Sequence, residues 1–473
     1  MKKNNLCNFN FEKIGKKYFI SNDFGNWLII SGEDFNKILK DDCCEKSKIY
    51  QSLKDEGFLR DYLDFQGLSR QLNKLMPFHY GGPSLHIIVV TLKCNHNCLY
   101  CRAIDHKSDF SKTNMSFDTV QQSINMAFES PNPNITLEFQ GGEALINWPI
   151  VKRAVKYAKA KNKKVKKNLI ISVVTNLSLM DDKKFKFLAD ENISVCASLD
   201  GPGFIHNKNR VYLGGNSYDL TIKWLRKISK NAQGKKGKKK DSLPSALMTT
   251  TRYSLAYPKK IVDEYYDLGF GGIFLRPLSP IGHAKNVWST IGYEPEDYLK
   301  FYESALDYIF KINRNKGKFV ERSAAIILKK ILRKENPNYL DLRSPCGASI
   351  GQMAYNYDGD IYTCDEGRMV AANGDTSFCI GNVQNSTYQE LIACDASKLC
   401  IVSSCLENQV ECFRCAFKPF CGVCPVHNYE TQYSPWGNIA DSDWCRIQKG
   451  IFKIIAKKLQ IKEYRKIFES WFE

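Results

Sequence analysis

No apolar run in the 473 residues is long enough to span a bilayer, even in the best stretches, 85–92 and 169–175. Met1 to Phe11 carries lysines but no apolar segment of the signal-peptide kind, so no secretory signal is expected and a cytoplasmic location is. No solenoid-type repeat recurs. Hydrophobic residues make up 43% and charged residues 25%, ordinary globular proportions that exclude general disorder. The eighteen cysteines are too sparse for a small disulfide scaffold. In a large cytosolic chain their clustering points to metal binding or redox chemistry. Lys+Arg number 68 against 50 Asp+Glu, a net charge of +18. Lysine-dense stretches at 159–167 and 235–240 read as solvated faces, with attraction to an acidic partner or nucleic acid as the other reading.

At ~150 residues per domain the length suggests about three domains, and the pattern divides the chain at 1–80, 81–300, 301–345, 346–449 and 450–473. In the first segment, 9–20 and 26–30 read as strands around the turn-rich Ser21-Asn22-Asp23-Phe24-Gly25. Ser31 stands at capping-box-like spacing from Asp34, and Phe35, Ile38 and Leu39 give one apolar helical face. Ile49, Tyr50 and Leu53 suggest a second helix, stopped near Gly57. Strands followed by short helices resemble a winged helix, for which DNA binding and a purely structural cap are the plain alternatives.

Further on, short β-branched runs alternate with helical stretches. Strands are expected at 85–92, 135–140, 169–175, 194–199, 246–251 and 273–278, and helices over 117–128, 150–160 and 219–228. These six repeats predict an α/β fold with a parallel sheet, open or curled into a partial barrel, whose ligands sit at the carboxyl ends of strands. Residues 230–241, with Gly234 and Gly237, predict a flexible basic loop. A bridging helix is expected after Pro295, with Leu299, Tyr302, Leu306, Ile309 and Phe310 on one side. Alternation around Asp358-Gly359 predicts a hairpin. Ile451, Ile454, Ile455, Leu459 and Ile467 predict an amphipathic tail helix packed on the protein's own core.

Directly after the first expected barrel strand stand Cys94, Cys98 and Cys101, at x3 and x2 spacing. Three thiolates from one loop suit an iron–sulfur cluster, whereas structural zinc normally wants four protein ligands. His96 as a fourth ligand keeps a zinc knuckle open. The spacing resembles the radical S-adenosylmethionine (SAM) superfamily, whose CxxxCxxC loop follows the first strand of a partial (β/α)6 barrel. Further motifs stand in that family's order. Gly141-Gly142-Glu143 resembles the GGE motif that receives the SAM amino group. Thr175-Asn176 and Ser198-Leu199-Asp200-Gly201-Pro202 resemble the polar strand ends for which ribose contacts are implied. Arg210 resembles the arginine that holds the SAM carboxylate.

In the carboxy-terminal region, Cys346-x12-Gly359-x4-Cys364, Cys412-x2-Cys415-x5-Cys421-x2-Cys424 and Cys445 resemble the SPASM domain, which carries two auxiliary [4Fe–4S] clusters. The resemblance implies Cys412, Cys415, Cys421 and Cys445 for one cluster and Cys346, Cys364 and Cys424 for the other. Two features depart from the pattern. The last spacing is x2 where x3 is usual, and Gln352 stands where a fourth thiol is wanted near Cys346. That leaves an open iron, or a ligand taken from Cys379, Cys394, Cys400 or Cys405. A zinc-binding appendix is the alternative for the whole region. Cys7, Cys43, Cys44 and Cys196 fit neither pattern and read as packing residues.

The resemblance implies SAM cleavage on the Cys94/Cys98/Cys101 cluster to a 5′-deoxyadenosyl radical, which takes hydrogen from a substrate carbon. It also implies a low-potential electron donor such as flavodoxin or ferredoxin. Asp365 matches a residue that acts as base in some SPASM enzymes, with orienting the local backbone as its other role. SPASM enzymes often carry a winged-helix module that binds the leader of a precursor peptide as an added strand. Segments 135–143, 198–202, 246–251, 274–280, 356–359 and 365–369 are similar to the radical SAM maturase of the His-Xaa-Ser system. A precursor-peptide maturase with no membrane or nucleic-acid partner is therefore the expectation. An anaerobic sulfatase maturase, forming formylglycine from Cys or Ser, is the alternative among enzymes. A DNA-binding iron–sulfur or zinc regulator is the alternative outside them.

Overall fold

Three short strands open the chain where two were expected. In the computed structural model, which describes residues 5–78, 81–101, 112–233 and 245–473, β1 (Asn10–Ile14), β2 (Lys17–Ser21) and β3 (Trp27–Ser31) form an antiparallel meander. Gly15 takes a left-handed φ of 63° between β1 and β2, so the expected strand over 9–20 is a hairpin. The Ser31 side chain accepts the Asp34 N–H and caps the helix Gly32–Leu39, as the spacing indicated. Helices Lys48–Asp55 and Phe65–Leu75 complete this region, and β3 stays an edge strand.

The module is fastened to the rest of the chain by apolar and polar contacts together. Phe19 sits with Trp27 and Phe417 at ring-centroid distances of 5.6 and 5.4 Å. The Ser21 hydroxyl donates to the Ala416 carbonyl at 2.6 Å, and the Trp27 indole N–H to the Ile331 carbonyl at 2.9 Å.

The remaining strands follow in chain order: β4 (Leu85–Thr91), β5 (Asn97–Cys98), β6 (Asn134–Gly141), β7 (Asn168–Thr175), β8 (Ser194–Ser198), β9 (Arg210–Val211), β10 (Ser245–Leu247), β11 (Gly272–Ile273), β12 (Val320–Glu321), β13 (Gln352–Tyr355), β14 (Asp360–Tyr362) and β15 (Cys379–Asn382). The main sheet runs β10-β8-β7-β6-β4-β13-β14-β15, its first five strands parallel and joined by helical crossovers. The α/β class and the parallel run are as the periodicity predicted. Residues such as Val89, Leu137, Phe139, Val173 and Ala197 are buried, and fully burying a Val, Leu or Phe contributes about 1.5–3 kcal/mol.

The sixth repeat departs from expectation. Only Gly272–Ile273 is strand there, and it pairs with β12 outside the main sheet. A single parallel bridge, Thr250 to Pro277, ties this segment to the fifth repeat. Pro277 has no N–H with which to extend a ladder. The helix Ser217–Gln233 runs into the start of the expected basic loop; the remainder of that loop and the lysine run 235–240 lie outside the described residues. The hairpin around Gly359 forms as β13 and β14, and β13 pairs in parallel with β4 from Gln352↔Leu85 to Tyr355↔Ile88. The cysteine-rich region thus shares the barrel's sheet. The tail forms helices Asp443–Leu459 and Lys462–Ser470, with Ile451, Ile455 and Leu459 buried in the core.

Candidate active site and cysteine centres

The carboxyl ends of β4, β6, β7 and β8 open onto one cavity of about 240 Å³. Cys94, Cys98 and Cys101 line it together with Gly141, Gly142, Glu143, Thr175, Asn176, Ser198 and Arg210. Residues up to 116 positions apart in sequence meet here because parallel strands end on the same side.

The two glycines first serve the protein itself. A Cβ on Gly142 would stand 2.4 Å from the Lys93 carbonyl oxygen, and one on Gly141 2.1 Å from that of Thr91. The Gly142 N–H donates to Thr91 and the Glu143 N–H to Lys93, both at 2.9 Å. Glycine is therefore required for β6 to abut the root of the cysteine loop. Glu143 is buried and its carboxylate accepts from the Leu145 N–H (3.0 Å), the Thr175 hydroxyl (2.7 Å) and the Asn176 N–H (2.7 Å). Burial raises its carboxyl above the ordinary range, opposed by those hydrogen bonds.

Cys98 lies opposite Arg210 in the short β5–β9 pairing. Arg210 forms a two-point pair with Asp200, at 3.1 and 3.2 Å, and Asp200 also accepts the Tyr100 hydroxyl at 2.7 Å and the Thr249 N–H at 3.2 Å. Burial acts to lower Arg210, but the Asp200 charge outweighs it and the guanidinium stays charged. Asp200 is absent from the cavity lining, so its place is behind Arg210. Asp365 is likewise absent from the lining and pairs with Arg368 at 2.9 Å; the neighbouring Glu366 faces the cavity. His96 has both ring nitrogens engaged, with Asn95 and Asn176 on one side and Ser217 at 2.8 Å on the other. Burial lowers it to about 4, which leaves a neutral imidazole with hydrogen-bond partners at both ring nitrogens.

The cysteine loop suits a cluster on three observations. The three thiols converge on one cavity, and none of them is in a disulfide. The buried Gln140 side-chain N–H2 faces that cavity without a hydrogen-bond partner, as a ligand-binding donor does. Among the described residues no three His, Cys, Asp or Glu side chains converge as ligands of a single metal ion. A four-iron cluster needs no such convergence, since each thiolate binds a different iron.

The carboxy-terminal cysteines fall into two groups. Cys412, Cys421 and Cys445 pack around Leu406, Val423 and Ile439, and Cys415 lies near Cys421 and Cys445. Cys346, Cys364 and Cys424 lie in a separate apolar cluster with Ile281 and Phe378. Backbone N–H groups already point at sulfur: Gly367 to Cys364 at 3.3 Å, His427 to Cys424 at 3.4 Å, Phe417 to Cys415 at 3.4 Å and His96 to Cys94 at 3.4 Å. Burial raises every one of these thiols, Cys94 and Cys412 to about 12, so each gives up a proton only against a strong ligand-binding gain. Of the cysteines assigned to packing, Cys43 is buried, but Cys44 is exposed and packing does not account for it.

The sequence did not single out Glu138 or the side chain of Arg276 as site groups. Glu138 lies on β6 outside the cavity lining, where it accepts the Ser172 hydroxyl at 3.3 Å, and burial, then the Asp365 charge, pushes it up to about 7. Arg276 lines the cavity; burial acts to lower it, and the neighbouring Tyr339, Asp341 and Glu366 raise it. A charged residue inside a β-branched run is the signal that could have found Glu138.

Residues 88–236 match the model of the Radical SAM superfamily. The chain is 26% identical over 385 residues to the cysteine-type anaerobic sulfatase-maturating enzyme of Clostridium novyi, covering 80% of this chain and 96% of that protein. It is 28% identical over 157 residues to the radical SAM cyclopropyl synthase TigE of Paramaledivibacter caminithermalis, 30% of this chain and 32% of that one. Among solved structures, native anSMEcpe with bound AdoMet superposes with a TM-score of 0.67 at 19% identity, covering 82% of this chain and all of that one. Streptococcus suis SuiB bound to precursor peptide SuiA gives 0.53 at 15% identity, covering 91% and 97%. These names are of a sulfatase-maturating enzyme, a cyclopropyl synthase and proteins bound to AdoMet or to a precursor peptide, and not of the His-Xaa-Ser maturase.

Proposed function

The chain being a radical SAM enzyme whose cofactors are SAM and 4Fe–4S clusters, we propose that it modifies a side chain within a peptide or protein. One observation carries this reading: the Cys94, Cys98 and Cys101 thiols share a single cavity with the Gly141–Glu143 strand end and Arg210. When bound, SAM and its cluster supply a radical able to take hydrogen from an unactivated carbon. Cys94, Cys98 and Cys101 hold that cluster. Gly141, Gly142 and Glu143 receive the SAM amino group, Thr175, Asn176 and Ser198 the ribose, and Arg210 the carboxylate. Asp200 orients Arg210, and the enclosed barrel excludes water and stray hydrogen donors. Cys412, Cys415, Cys421 and Cys445 hold one auxiliary cluster and Cys346, Cys364 and Cys424 the other. The Arg368 pair supports a positioning role for Asp365 at the start of the helix that presents Glu366.

Two substrate classes follow. The sulfatase-maturating relatives support oxidation of a Cys or Ser within a sulfatase-type motif. The amino-terminal meander supports a second class, a ribosomal precursor peptide of the kind named with SuiB, to which the His-Xaa-Ser resemblance belongs. There, β3 is an edge strand beside a cleft of about 520 Å³ lined by Leu28, Ile30, Asp34, Lys37 and Ile49, into which a peptide can add as a strand. The +18 charge supports an acidic low-potential donor such as flavodoxin or ferredoxin, and the eighteen cysteines, none of them in a disulfide, support a cytoplasmic location.

The test is an anaerobic, dithionite-driven assay read by mass spectrometry on two substrates, a sulfatase-motif cysteine peptide and a small peptide encoded beside the gene. Formylglycine in the first establishes sulfatase maturation. A change confined to the second establishes precursor modification. Formation of 5′-deoxyadenosine with neither peptide altered rejects both substrate classes.

A further inference from the structure

Cys400 belongs to none of the cysteine motifs and stands 36 residues after Cys364. It is on the helix Asp395–Ser404, is buried, and lies in the same apolar cluster as Cys346, Cys364 and Cys424. Resting on the reading of two auxiliary clusters, we infer that Cys400 is the fourth ligand of the cluster held by Cys346, Cys364 and Cys424.

Three contacts place it there. The Cys346 N–H donates to the Ser404 hydroxyl at 2.9 Å, and that hydroxyl donates to the Cys400 carbonyl at 2.6 Å, so the helix turn bearing Cys400 is tied to the Cys346 backbone. The Thr363 hydroxyl reaches Cys364 Sγ at 3.8 Å and also hydrogen-bonds the Cys400 thiol. Cys400 neighbours Cys346, and Cys364 neighbours Cys424, Cys346 and Cys400 in turn.

The other candidates are occupied elsewhere. Cys379 donates to the Gly381 carbonyl at 3.6 Å and packs with Ile87, Val89 and Tyr362 on another face of the hairpin. Cys394 donates to the Leu391 carbonyl at 3.2 Å, more than a turn before Cys400. Cys405 lies beside Glu407. Gln352, at the position where the spacing wanted a thiol, lies in β13.

On binding, the Cys400 thiol proton leaves to solvent and its sulfur completes the iron's coordination; no electron moves. With four thiolates the centre has no iron free for substrate, which suits it to passing electrons rather than to holding the peptide.

The experiment uses the full chain with Cys94, Cys98 and Cys101 all changed to Ala, so that only auxiliary clusters remain. After anaerobic reconstitution this parent is expected to hold about eight irons, and Cys364→Ala in it about four. Cys400→Ala and the volume-conserving Cys400→Ser are expected to fall to about seven irons or fewer, with the electron paramagnetic resonance signal of a three-iron cluster, while Cys379→Ala and Cys394→Ala stay at about eight. Full iron with no three-iron signal in the Cys400 variants overturns the inference. So does a distinct, non-thiolate iron site in the Mössbauer spectrum of the iron-57 parent, a measurement that needs no Cys400 variant to fold. A parent holding about four irons, unchanged by Cys364→Ala, instead overturns the two-cluster reading beneath it.

Discussion

Cys98 and Arg210 face each other across a two-residue antiparallel pairing, which joins the middle thiol of the cysteine loop to the end of the helix Gly203–Asn209. Arg210 is in turn locked by Asp200, whose oxygens also take the Tyr100 hydroxyl and the Thr249 N–H. The cysteine loop and the Arg210 guanidinium therefore share one hydrogen-bonded frame.

Cys98→Ala is expected to remove about four irons from the reconstituted protein and to abolish 5′-deoxyadenosine formation. The circular dichroism spectrum should stay that of the wild type. Retained SAM cleavage would exclude Cys98 as a ligand.

Asp200→Asn leaves Arg210 buried without its counter-charge. Breaking a buried pair from one side costs about 3–5 kcal/mol, so a lowered thermal midpoint and weaker SAM binding are expected together. Unchanged values for both in calorimetry would show that Asp200 does not position Arg210.

Glu143→Gln keeps the volume but removes the charge that accepts two backbone N–H groups and the Thr175 hydroxyl. Hydrogen bonds to charged groups are worth about 1.5–3 kcal/mol, and SAM affinity is expected to fall about tenfold or more. Isothermal titration of the reconstituted protein measures it.

Glu138 supplies a pH dependence. Burial raises its carboxyl from 4.5 to about 7, so the folded chain holds a proton that the unfolded chain has lost across that window. The contribution of Glu138 is full below pH 4.5 and declines as pH rises to about 7, an effect of up to about 3 kcal/mol. Glu138→Gln should remove this decline and raise stability at pH 8, as read by urea unfolding across pH. An unchanged slope would refute the assignment.

Leu28→Glu places a charge in the cleft beside β3. On the precursor-peptide reading it is expected to raise KM for the peptide about tenfold or more, leaving uncoupled SAM cleavage at the wild-type rate; like losses in both would assign the module a structural role. Point substitution is preferred to deletion, because removing β2 and β3 would uncover Phe417 beside Cys415.

What the sequence determined by itself was local. The strand periodicity of the first four barrel repeats, the Ser31 cap, the Asp358-Gly359 hairpin and the cysteine spacings each depend on neighbours a few residues away, and these were readable along the chain. Register, pairing across the chain and side-chain destination depend on distant segments. Thus tertiary structure alone decided that β13 joins β4, that Asp200 turns to Arg210, that His96 is held by hydrogen bonds, and that Gly141 and Gly142 admit the cysteine loop. It also brought Cys400 beside Cys364, since a helix surface meets a hairpin only when both pack on one core, and no short-range pattern records which sulfur that packing delivers.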